Sequence, residues 1–241
     1  MASGITYQVC DGSPVTVVRL AGPLDLGTMR SVYEVLDDCL AAQPDALVVD
    51  LAGVTVRDRL ALSVFAAAAR RAEEWPAVPV VLCDPPPDAA RWLAESTACR
   101  AVPVRRDRTE ASRLAAASAP RLRARLEPVA EACRRARDLV ADACARWNLP
   151  EAVGPASVVL TELVANAVRH AGTPMQVTLT LRRPYLHLAV VDGSRAGLRP
   201  RDPGLGAEGG RGLLLVRELA QRWGSVEAVG GKAVWAMLPA N

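Results

Sequence analysis

The 241-residue chain carries 29 lysines and arginines against 26 aspartates and glutamates, a formal net charge of +3, with 51% hydrophobic residues. That length gives one or two domains with ample apolar material for packed cores, and the small charge does not by itself point to nucleic acid. No apolar run approaches the roughly 18–20 residues of a membrane span, and the opening MASGITYQVC lacks the charged and apolar segments of a signal peptide, so a cytoplasmic protein with no membrane partner is expected. The six cysteines (Cys10, Cys39, Cys83, Cys99, Cys133, Cys144) include no CxxC pair, and the chain has two histidines, His170 and His187. Those spacings do not suit a structural zinc site and read as reduced thiols acting as small hydrophobes.

In chain order, VTVVRLAG reads as a strand and SVYEVLDDCLAA as an amphipathic helix. ALVVDLAG is a nearly continuous apolar run, which suits a strand buried on both faces. LALSVFAAAARRAEEW follows as a helix, VPVVLCDPP as a second buried strand, DAARWLAESTA as a short helix and AVPVRR as a strand. Strands alternating with helices imply crossover units and a largely parallel sheet over residues 1–106. Residues 107–126, DRTEASRLAAASAPRLRARL, are rich in Ala, Ser and Arg and divided by Pro120, and they read as a linker with partly helical character. Arg121, Arg123 and Arg125 read as a solvated face or as contacts for an acidic partner.

Residues 127–241 have a different order. Two helical stretches, PVAEACRRARDLVADACARWN and GPASVVLTELVANAVRHAG, precede two alternating strands, MQVTLTLRR and YLHLAVVDG. A Gly-rich loop, the helix GLLLVRELAQRWG, the strand SVEAV, a Gly-Gly turn and AVWAMLP close the chain. Helices grouped with antiparallel strands predict an α/β sandwich, a mixed sheet with helices on one face.

Three features can carry chemistry. Glu162, Asn166 and His170 are spaced i, i+4, i+8 and form one polar stripe on an otherwise apolar helix. A carboxylate and an amide one turn apart offer oxygen ligands for a hard cation and a proton acceptor, or else they are simply the wet side of an amphipathic helix. Asp192 ends a strand, where its carboxylate can accept from an exocyclic amine such as that of adenine, and where Asp-Gly is equally a common turn. Glycines 204, 206, 209, 210 and 212 precede an apolar-periodic helix. Close backbone approach and a helix N-terminus suit phosphate, although a flexible loop has the same composition, and the Walker pattern is absent.

The order of these segments carries a resemblance. ELVANAVRH, VVDGS, GGRGLLLV and GGKAVWAML look like the N box, the two glycine boxes and the closing segment of the GHKL ATPase superfamily, over residues 129–241. The resemblance is strongest to bacterial anti-sigma factor serine/threonine kinases. It implies ATP and Mg2+ as cofactors, with Glu162 orienting or deprotonating the attacking hydroxyl, Asn166 ligating magnesium, and His170 supporting the phosphate side. Asp192 would bind the adenine amine, and Asn166, Arg169, His170, Gly193, Gly209, Gly210, Arg211, Gly212 and Leu213 would complete the nucleotide site, with residues 195–208 as a lid. Close relatives often have a threonine where this chain has Ala233, and its hydroxyl holds adenine through water; many have glycine where this chain has Ser194.

The segment VVDLAGVTVRD gives residues 5–106 a resemblance to the STAS domains of anti-sigma factor antagonists. There the aspartate matching Asp58 is followed by two serines and a glycine, and the second serine accepts phosphate. Here Arg59, Leu60 and Ala61 follow, with no hydroxyl among them, and Ser63 is the nearest alternative, as target or as packing. The expected function is a protein serine/threonine kinase that binds a sigma factor or a separate STAS antagonist and phosphorylates the latter; the resemblance implies a homodimer, and no direct nucleic-acid contact is expected. A nucleotide-sensing, catalytically weak partner-binding module with a non-phosphorylatable STAS domain is the alternative.

Overall fold

The computed structural model describes residues 4–12, 15–116, 119–194 and 211–240. The chain divides into two compact units, Met1–Ser118 and Ala119–Asn241. The first contains β1 (Thr6–Gly12), β2 (Val15–Leu24), α1 (Met29–Ala41), β3 (Ala46–Val56), a 3-10 turn (Arg59–Leu62), α2 (Ser63–Glu74), β4 (Val80–Cys83), α3 (Pro87–Glu95), β5 (Val104–Arg105) and α4 (Arg108–Ala116). Its sheet runs in the order β1-β2-β3-β4-β5. The β2-β3, β3-β4 and β4-β5 pairs are parallel, and β1, which was not among the expected strands, pairs antiparallel with β2.

The continuous apolar run of β3 has the predicted cause. Leu47, Val49 and Leu51 enter a core with α1 and α2, while Ala46 and Val48 face the other side, where Ala111 and Ala115 of α4 meet Val81 and Cys83. Successive strand residues point to opposite faces, so a strand covered on both must be apolar throughout.

The second unit contains β6 (Arg121–Leu126), α5 (Ala132–Trp147), α6 (Val153–Asn166), a π-helical turn (Ala167–Ala171), β7 (Met175–Arg182), β8 (Tyr185–Asp192), α7 (Arg211–Leu219), β9 (Arg222–Ala228) and β10 (Gly231–Pro239). Helix α5 stops where Asn148 takes a left-handed conformation, φ 55°, and its N–H reaches back to the carbonyls of Ala145 and Cys144. The sheet order is β6-β7-β8-β10-β9. One core joins residues of α5, α6 and α7 to Val177, Leu179, Leu186, Leu188, Val190, Val234 and Ala236 of the sheet.

Two expectations need correction. Residues 107–126 are not a linker: α4 is part of the first unit's core and β6 is the edge strand of the second unit's sheet. The signals were weak because the fully buried side chains of α4, among the described residues, are the small Ala111 and Ala115, and because β6 alternates Arg121, Arg123 and Arg125 with Leu122, Ala124 and Leu126. Arg121 Nε donates to Thr180 Oγ1 of β7 at 3.1 Å, an intrachain use of one of those arginines. The second sheet is also antiparallel at every pair rather than mixed. β9 follows the crossover helix α7, but β10 turns back and inserts between β9 and β8, so no parallel neighbours result.

The helical stretch Pro150–Ala171 is long and apolar enough to cross a membrane by length and composition, although polar residues interrupt its apolar runs. Ala156, Val159, Leu160, Leu163 and Val164 instead belong to the core of the second unit.

Candidate functional site

Helix α6 carries the polar seam. Glu162 is half-buried and Asn166 lies one turn on. The expected straight stripe stops there, and the helix runs on as a π-helical turn over Ala167–Ala171. Arg169, rather than His170, closes over the pair: its Nη2 lies 3.3 Å from Asn166 Oδ1 and 4.0 Å from Glu162 Oε2. Its Nε also donates to the Ala165 carbonyl at 3.3 Å. Two side-chain oxygens thus already face a positive charge. Asn166 Nδ2 is buried with no hydrogen-bond partner among the described residues. A buried, unpaired donor is costly, so it marks a position that suits an acceptor such as a phosphate oxygen or water. His170 is exposed.

The first turn of α7 lies against Glu162. Gly212 sits so close that any β-carbon there would collide with Glu162 Oε2 and Cδ. The early N–H groups of a helix have no intrahelical acceptor and carry the positive end of its dipole, so this approach favours negative charge beside Glu162. Leu213 follows half-buried, and Arg211 opens the helix. Gly209, Gly210 and the expected lid over 195–208 lie outside the described residues, as does the side chain of Arg211.

Asp192 ends β8 with its side chain 2% exposed. Its Oδ1 accepts from the Ser194 N–H at 2.8 Å, which makes a local Asx turn, and lies 3.4 Å from Lys232 Nζ. The Gly193 N–H donates to Thr173 Oγ1 at 2.9 Å. The turn and the functional readings of Asp192 are therefore compatible: the carboxylate shapes the turn and keeps further lone pairs.

Ala233 does not occupy the position expected of it. It pairs with Val191, whereas Lys232 pairs with Asp192. Residues directly opposite in an antiparallel ladder share a face, and neighbours along a strand do not, so Ala233 points away from Asp192. Lys232 was missed in the sequence because it stands one place from the residue compared. Its status as the one lysine in the chain was the signal available.

Residues 8–111 match the family model of the STAS domain, and residues 123–238 match that of the histidine kinase-like ATPase domain. The chain joins a STAS domain to a histidine kinase-like ATPase domain. The chain is similar to the anti-sigma-F factor antagonist RsfB of Mycobacterium tuberculosis, 33% identical over 67 residues, which are 28% of this chain and 55% of that protein. The chain thus spans about half the length of the curated relatives it matches. Among solved structures, an anti-sigma factor antagonist from Mycobacterium paratuberculosis is similar at 24% identity and TM-score 0.41, covering 47% of this chain and 95% of that one. The RsbU and RsbW domains of a Mycobacterium tuberculosis protein are similar at 17% identity and TM-score 0.40, covering 51% and 33%.

In the STAS domain, Asp58 caps the 3-10 turn by accepting from the Leu60 N–H at 2.8 Å. Leu60 is 63% exposed. Ser63 Oγ donates to the Leu60 carbonyl at 2.7 Å, a local bond at the start of α2.

Proposed function

We propose that this chain is an ATP- and Mg2+-dependent protein serine/threonine kinase of a partner-switching system, which phosphorylates a separate STAS-type antagonist and binds a sigma factor. The observation that carries the reading is the set of Glu162, Asn166 and the first turn of α7, which sets a proton acceptor and an amide beside a helix N-terminus. Phosphoryl transfer is mostly positioning and charge neutralisation, so a set this small is sufficient.

The residues fit the two ligands. The Glu162 and Asn166 oxygens converge on the Arg169 guanidinium, a positive charge where a hard cation would compete, and Arg169 is exposed enough to swing aside. The orphan Nδ2 of Asn166 and the N–H groups of α7 suit phosphate oxygens. The buried Asp192 carboxylate suits the base amine. When bound, Mg2+ would neutralise phosphate charge, held by Asn166 with Glu162 nearby. Glu162 orients the attacking hydroxyl and takes its proton, and α7 holds the phosphates. The acceptor hydroxyl belongs to another protein, because Arg59, Leu60 and Ala61 have none and Ser63 Oγ is bonded locally. The protein would work in the cytoplasm, as a monomer or a homodimer, without touching nucleic acid or membrane.

The test mixes the purified chain, labelled ATP and candidate STAS antagonists. Label is expected on a serine or threonine of the antagonist. ATP binding without any transfer sinks the kinase reading and leaves the nucleotide-sensing module. Glu162→Ala separates the two: the kinase loses signalling with partner binding unchanged, and the sensor loses nothing.

A further inference from the structure

Lys232 is the single lysine among 29 basic residues. It stands directly across from Asp192 on β10 and faces the same side of the sheet. The two side chains are 10% and 2% exposed, with Nζ 3.4 Å from Oδ1. Gly231 fixes the root of this lysine: the backbone there lies against the Asp192 carbonyl, and a β-carbon would collide with it. Charges this deeply buried are expensive unless they are paired, and an ammonium has three donors to satisfy. Among the described residues, Asp192 is the ion-pair partner of Lys232, so donor capacity is left over.

A buried acceptor beside a buried donor complements the edge of adenine, where the N6 amine adjoins the N1 acceptor. We propose that Lys232 is a specificity-determining residue for the base: its Nζ donates to adenine N1 while Asp192 accepts from N6. This rests on the nucleotide-binding reading above. It also accounts for lysine in a chain that uses arginine at every other basic position. A guanidinium grips a carboxylate with two parallel bonds and would take both Asp192 oxygens, whereas an ammonium is a point donor that leaves one oxygen for the base.

The test titrates the full chain with Mg-ATP and with Mg-1-deaza-ATP, which has a C–H at position 1, by calorimetry. The wild type is expected to bind 1-deaza-ATP about tenfold more weakly, the loss of one charge-assisted hydrogen bond. Lys232→Met is expected to bind the two alike, and ATP about tenfold more weakly than wild type. A second measurement needs no variant: acetylation of Lys232 by an amine-selective acyl phosphate, followed on its peptide by mass spectrometry, should slow several-fold under saturating ATP. Equal wild-type affinity for the two nucleotides overturns the proposal, as does acetylation that ATP leaves unchanged or a preference for GTP over ATP. If Lys232→Met does not fold, the wild-type arms decide. A wild type that binds no nucleotide overturns the nucleotide reading itself, which is a separate failure.

Discussion

Gly212 of α7 leaves room for the Glu162 carboxylate of α6, and no other residue type can do so without moving one of them. The obstructing atoms belong to the end of a flexible side chain, so the cheaper response to a larger residue is for the carboxylate to turn away. Gly212→Ala is therefore expected to lower phosphoryl transfer by about 10–100-fold, because a displaced base loses its positioning. The melting temperature should stay within a few degrees of wild type. Transfer assays paired with thermal denaturation check both.

Glu162→Gln keeps the shape and removes the proton acceptor. Transfer is expected to fall about 10²–10⁴-fold, the usual worth of a positioned general base. ATP affinity, measured by titration, should change little, because Asn166, Asp192 and α7 are untouched.

Asp192→Ala strands the buried Lys232 ammonium. Removing one partner of a buried pair costs about 3–5 kcal/mol, so urea unfolding of the ATPase domain should show a loss of that order. The double change Asp192→Ala with Lys232→Met should recover much of it, because no unpaired charge remains. Recovery distinguishes the stranded charge from simple loss of packing.

His187 on β8 is 7% exposed, and burial lowers its pKa to about 4, helped by the charges of Arg182 and Arg121. The folded state thus stays neutral where the unfolded chain takes up a proton. Stability from this group is complete above about pH 6.5 and falls as pH drops towards 4, by about 3 kcal/mol in all. His187→Phe should flatten the dependence of unfolding free energy on pH within that window. Denaturant titrations at pH 7.5 and pH 4.5 measure the difference.

The sequence alone determined the α/β class of both halves and most of their elements in order, because those physical signals were local. The double-faced apolar run of β3 demanded helices on both sides of its sheet. The ordered spacing of Glu162, Asn166, Asp192 and the glycines before α7 gave the candidate site. Tertiary structure decided what depends on pairing. The alternating Arg121–Leu126 became a strand only because β7 offered an edge. The folded helix set Arg169, an i+3 neighbour of Asn166, rather than His170 over Glu162 and Asn166. The register between β8 and β10 set Lys232 opposite Asp192, 40 positions earlier in the chain. A one-place slip in a strand reverses the face, and no local pattern in the sequence fixes that register across so long a separation.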